Sequence, residues 1–259
     1  MDHKVYYEKD AARNRLWGTL REIALSENIL RKIVLMRNNH NYSRILDLGC
    51  GDGFFLHSCS KKYKKMELYG ADLSQERLRQ TEKNVSGVKL SQQDIYHQTF
   101  SEEFFDFVVC SEVLEHLEHP VVGLRELWRV TKKRLILTVP NDQPIVPVEC
   151  PNCSFKHYLS GHIHQISEET LRDWIQEAIG TNCTVTFNRF HTIFTYNKIT
   201  LRFPEWLRHL LDAGADLASK KISFFKPNFL MAVIDRNSSE LQQKVPPVFS
   251  RNQVDQRTI

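Results

Sequence analysis

No apolar stretch in this sequence approaches the roughly 20 residues that a bilayer-spanning helix requires. A membrane span is therefore not expected. The opening Met1-Asp2-His3-Lys4 leads into charged residues instead of an apolar run, which argues against a secretory leader. Charge of one sign is also lacking: 35 basic against 31 acidic residues leave a net +4. The clusters Lys61-Lys62-Tyr63-Lys64-Lys65 and Lys132-Lys133-Arg134 read as solvated helix ends or turns, so RNA is neither required nor excluded as a partner. Six cysteines do not make a disulfide framework at this length and fit a reducing compartment, so a cytoplasmic protein is expected. Glycine is scarce, with 10 in 259 residues, yet three of them fall at 49, 51 and 53.

What is present is organised around that cluster. Arg44-Ile45-Leu46-Asp47-Leu48 reads as a buried strand, and Gly49-Cys50-Gly51-Asp52-Gly53 as a tight turn opening a helix from Phe54 to about Tyr63. The free N–H groups of that helix point back toward any ligand held by the turn. A dinucleotide fingerprint requires glycine where Phe54 stands, so a nicotinamide enzyme is disfavoured. Asp47, two residues before the first glycine, suits a cationic ligand end better than a pyrophosphate.

Further strands alternate with helices. Glu67–Asp72 reads as a strand ending in an acid 21 residues after Gly51, where a carboxylate can accept both hydroxyls of a ribose. Ser74 then caps a helix with Glu76 in its first turn. Val88–Leu90 starts a third strand, followed by Asp94-Ile95; Phe105–Cys110 is a fourth and Lys133–Val139 a fifth. Pro120 opens the helix between the last two. A helix follows Ser167 to about Ile179, and Val185–Tyr196 and Asn228–Asp235 complete the strands. The alternation predicts an α/β fold with a sheet covered on both faces.

The pattern Asp47-Leu48-Gly49-Cys50-Gly51-Asp52-Gly53, followed in register by Asp72 and Asp94-Ile95, resembles the class I S-adenosylmethionine-dependent methyltransferases. Over about residues 40–180 the order is similar to their small-molecule branch, which includes the ubiquinone-biosynthesis O-methyltransferases. The resemblance implies a Rossmann-like seven-stranded sheet with helices on both faces. It also implies that Asp47, Gly49, Cys50 and Gly51 contact the methionine half of the cofactor, Asp72 and Leu73 the ribose, and Asp94 and Ile95 the adenine. Ser111 and Glu112 would stand beside the sulfonium. The domain is expected over 41–236, after an N-terminal helical extension over 1–40. A helical insertion over 197–226, with an apolar stripe from Phe203 to Ala218, precedes the last strand, and 237–259 form a disordered tail.

The acceptor end is less constrained. His116, with Glu115 beside it, is the expected proton acceptor at the carboxyl ends of the strands. Within the loop over 140–166, Cys150 and Cys153 with His157 and His162 have the ligand types of a structural zinc knuckle. Glu112, Glu115 and His116 also have the i, i+3, i+4 spacing of one helical turn, and His162 or His164 follows downstream. Small-RNA 2′-O-methyltransferases use such a set, so a metal-dependent RNA enzyme is the alternative. The leading expectation is O-methylation of a small molecule, lipid or glycan precursor; a cofactor-binding protein without turnover is the rival from another class.

Overall fold

In a computed structural model, residues 19–34, 44–149, 154, 156–190 and 227–237 are described. Nine strands are found among them: β1 (Arg44–Leu48), β2 (Glu67–Asp72), β3 (Val88–Gln92), β4 (Phe105–Ser111), β5 (Thr131–Pro140), β6 (Pro147–Glu149), β7 (Lys156–Tyr158), β8 (Cys183–Phe190) and β9 (Phe229–Arg236). Five α-helices accompany them: α1 (Leu20–Val34), α2 (Phe54–Lys62), α3 (Gln75–Asn84), α4 (Pro120–Val130) and α5 (Glu168–Ile179). The expected extension before residue 19, the insertion over 197–226 and the tail beyond 237 lie outside the described residues. So do the expected strand residues 191–196. No helix among the described residues is long and apolar enough to cross a membrane.

Seven strands form one sheet in the order β3-β2-β1-β4-β5-β9-β8. β1 to β5 run parallel, while β9 is antiparallel to both β5 and β8. The chain winds outward from β1 in one direction through β2 and β3, then returns to place β4 on the other side. That reversal opens a crevice past the carboxyl ends of β1 and β4, where α/β sheets take their ligands.

Side-chain alternation feeds two cores. Ile45, Phe107, Val109, Ile136 and Val233 face one side, where Leu25, Ile29 and Ile33 of α1 and Phe55, Leu56 and Cys59 of α2 meet them. Leu46, Leu48, Val108, Leu135 and Leu137 face the other, against Leu124 and Leu127 of α4 and Leu171 and Ile175 of α5. Strands buried on both faces read as continuous apolar runs, as β4 and β5 do. The edge strand β8 instead alternates, with Thr184 and Thr186 exposed and Val185 and Phe187 half-buried.

Local chemistry sets the helix ends. Ser74 Oγ accepts from Arg77 N–H at 3.2 Å and Ser167 Oγ from Thr170 N–H at 3.1 Å, satisfying free helix donors. At α1, Thr19 N–H donates to Glu22 Oε2 at 2.7 Å and Glu22 N–H donates back to Thr19 Oγ1 at 3.3 Å, a capping box. Arg134 on β5 then anchors α1. Its guanidinium grips both oxygens of Asp235 on β9, at 2.6 and 2.8 Å, and also donates to the Lys32 carbonyl.

A candidate ligand-binding crevice

Gly49, Gly51 and Gly53 all have positive φ, at 82, 57 and 88°. Two of the three are required for space as well as for backbone angle. A Cβ on Gly49 would sit 2.4 Å from Val113 Cγ2, and one on Gly53 would sit 2.6 Å from Thr81 Cγ2. Gly53 therefore lets α2 start close against α3, a role the spacing alone does not reveal. The turn is tied to β2: Gly49 and Cys50 N–H donate to the Ala71 carbonyl at 2.7 and 3.1 Å.

Asp72 completes the same wall. Its Oδ2 accepts from Gly51 N–H and its Oδ1 from Ser74 N–H, each at 2.9 Å. Thr81 Oγ1–H donates to the Gly51 carbonyl at 2.9 Å, fixing the turn from the far side. Thr81 and Arg77 join this wall without having been expected there.

Asp47 lies at the end of β1 and is buried. Burial, with Asp72 and then Asp52 nearby, pushes its carboxyl up to about 8. A buried acid among acids is relieved by a cation. The turn thus fits a ligand with a positive end, the chemistry expected of the methionine half of S-adenosylmethionine.

The remaining expected contacts are spread along the crevice. Ile95 is buried, while Asp94 is exposed, its Oδ1 accepting from Tyr96 N–H at 2.9 Å. The Leu73 carbonyl accepts from Gln92 Nε2–H at 2.8 Å. Ser111 and Thr138 hydroxyls lie 2.7 Å apart at the ends of β4 and β5.

Past β4 the chain does not form the single helical turn that the spacing of Glu112, Glu115 and His116 suggests. Glu112 has φ 57°, and only Leu114–His116 close a 3-10 turn. Glu112 consequently points elsewhere, ion-paired with Arg21 of α1 across 91 residues of sequence. No sequence signal announces that pairing. Burial still raises the Glu112 carboxyl, against the pull of Arg21.

Glu115 and His116 instead meet His162. Glu115 Oε1 lies 4.0 Å from His116 Nε2 and 3.9 Å from His162 Nε2, and the two rings cross at 4.9 Å. The Glu115 carbonyl accepts from Ile163 and His164 N–H at 2.9 and 3.3 Å, which docks the downstream loop onto the turn. His164 itself turns away, its Nε2 2.8 Å from the Leu117 carbonyl. Burial, then Glu112, lifts the Glu115 carboxyl well above its usual range, while burial, then Arg21, lowers His162. Of the expected zinc ligands, Cys150, Cys153 and the side chain of His157 lie outside the described residues. His162 stands with Glu115 and His116.

A profile described as a methyltransferase domain matches residues 46–138. A malonyl-[acyl-carrier protein] O-methyltransferase of Halalkalibacterium halodurans is 33% identical over 89 residues, 32% of this chain and 33% of that protein. A ubiquinone biosynthesis O-methyltransferase of Pseudomonas aeruginosa is 30% identical over 109 residues, 39% of this chain and 46% of that one. The chain thus spans between a third and a half of the length of these curated relatives. The fold extends further. The plantazolicin methyltransferase BpumL superposes with a TM-score of 0.58 at 15% identity, covering 90% of this chain and 89% of that one.

Proposed function

We propose that this chain, whose residues 46–138 match a methyltransferase-domain profile and whose fold is shared with the methyltransferase BpumL, is a class I methyltransferase that transfers a methyl group from S-adenosylmethionine to an oxygen of a small acceptor. The acid-lined glycine turn carries the reading: a buried Asp47 raised to about 8 stands at the one end of the sheet where a ligand enters. Asp47, Gly49, Cys50 and Gly51 hold the cationic methionine end, Asp72 and Leu73 the ribose, and Asp94 with Ile95 the adenine. Ser111 and Glu112 lie between this pocket and the acceptor. Two relatives, both O-methyltransferases, support oxygen as the acceptor atom.

When bound, the cofactor supplies a methyl carbon already activated by a positive sulfur. The protein's task is then alignment, and removal of the acceptor's proton where the nucleophile carries one. His116 is suited to that removal. Its Nδ1 lies 3.0 Å from the Gly161 carbonyl, which can only accept, so Nδ1 bears the hydrogen and Nε2 is the ring nitrogen with acceptor character. Glu115 Oε1 lies 4.0 Å from that nitrogen.

The test pairs calorimetry of S-adenosylmethionine with transfer of a tritiated methyl group to a panel of phenols, acyl carboxylates and polyprenyl catechols. Binding with label in an oxygen acceptor supports the proposal. Absence of cofactor binding overturns it, and binding without transfer to any acceptor turns the reading to a cofactor-binding protein.

A further inference from the structure

Arg21 stands in the first turn of α1, yet its side chain serves another part of the fold. Its Nη2–H donates to Glu112 Oε2 just past the end of β4. A guanidinium carries five donors in a planar fork, so one acceptor engages only part of it. Among the described residues no acceptor meets Nη1 or Nε, and the side chain is 52% exposed. One edge of the fork is held inside, and the other is open to solvent.

The surroundings hold the guanidinium in place. The Phe229 ring lies beneath it, 5.2 Å from Cζ, and stacks on Phe190 at 5.5 Å, both rings being buried. An aromatic face under an arginine restrains its plane. Glu112 is fixed as well: its N–H donates to the Thr138 carbonyl at 2.9 Å, and its Oε1 accepts from Thr138 Oγ1 at 3.3 Å. Its neighbour Val113 packs on the glycine turn at Gly49. Burial is the main influence on Glu115 and His162, and the charge of Arg21 reaches both. The fork thus stands at the crevice, close to the turn and to the cluster after β4.

We propose that Arg21 binds an anionic oxygen group of the methyl acceptor, a carboxylate or a phosphate, and so selects acidic acceptors. Such groups take two parallel N–H bonds from a guanidinium fork, which a neutral carbonyl or hydroxyl does not match. A fork already held by Glu112 and Phe229 loses little freedom on binding, so the contact is pre-organised. Glu112 and Glu115 repel an anion from the inner side, which leaves the exposed edge of Arg21 as its place. That the anion is the methyl acceptor rests on the methyl-transfer reading; that an anion binds at Arg21 does not.

Full-length protein, with and without saturating S-adenosylhomocysteine, is titrated with phenylacetate, phenyl phosphate and the neutral phenylacetamide, followed by ligand-observed nuclear magnetic resonance. At least one anion should bind about tenfold or more tightly than the amide. Preference for one anion alone supports the proposal and identifies the head group. Arg21→Gln should bring the preference below about twofold. Arg21→Lys keeps a cation for Glu112, and with it the fold, but offers no second edge, so it should lose most of the preference. Circular dichroism checks both variants. No binding of either anion, equal binding of anions and amide, or a preference that persists in folded Arg21→Gln overturns the proposal; should that variant not fold, persistence in Arg21→Lys does so. Failure of S-adenosylhomocysteine to bind counts against the methyl-transfer reading alone, because the titration of the free protein still decides the anion site.

Discussion

If Asp47 holds the cationic end of the cofactor as proposed, cofactor binding is a proton-linked event, and the size of the effect follows from the surroundings of Asp47. In the ligand-free protein burial, Asp72 and Asp52 raise its carboxyl to about 8. A cationic ligand binds the ionised form, and the ionised fraction is about 1 in 100 at pH 6 and about one half at pH 8. Because apparent affinity scales with the competent fraction, binding of S-adenosylmethionine should tighten about 50-fold between these pH values, or about 2 kcal/mol. It should then level off. The sign for stability is opposite to that of an ordinary paired acid. An acid raised on folding favours the native state at low pH, and that contribution is lost as pH rises from the usual carboxyl value toward about 8. Calorimetry in two buffers of different ionisation enthalpy should register release of nearly one proton per cofactor bound near pH 6.5. Asp47→Asn should flatten the profile and abolish the release. A dissociation constant that stays constant across the window in the wild type, or proton uptake on binding, would refute the linkage.

Asp72→Ala should weaken cofactor binding by about 1–3 kcal/mol, the range for a lost partner at a buried polar contact; unchanged affinity in a folded variant would count against the ribose role. His116→Ala should leave calorimetric cofactor affinity nearly intact while slowing single-turnover methyl transfer at least about a hundredfold, and wild-type turnover with an unaltered pH profile would remove His116 from the mechanism. Gly53→Ala places a Cβ 2.6 Å from Thr81 Cγ2 at φ 88°, so chemical denaturation should report a loss of about 1–3 kcal/mol; a neutral outcome would mean that α2 and α3 can move apart.

Most of the sheet is legible because its signals are local. Strands buried on both faces are apolar runs, and Ser74 and Ser167 mark their helices by side chains that cap three residues onward. The glycine-turn wall is legible for the same reason: Asp47, the glycines and Asp72 sit at strand ends, where parallel pairing of β1 with β2 brings them together. The acceptor end is different in kind. Spacing at i, i+3, i+4 assumes a helix, but Glu112 adopts a left-handed angle and leaves the set. Its place is taken by His162, carried in by a loop whose Ile163 and His164 N–H groups dock on the Glu115 carbonyl. Arg21 reaches Glu112 only because Arg134 and the sheet hold α1 against β5. Each of these is a meeting of segments tens of residues apart, decided by packing. The geometry after β4 is therefore a tertiary property: the Glu-x-x-Glu-His string supplies two members of the Glu115, His116 and His162 cluster, its other acid, Glu112, is paired with Arg21 of α1, and a substitution at Arg21 or Arg134 would alter that cluster without touching any of its three members.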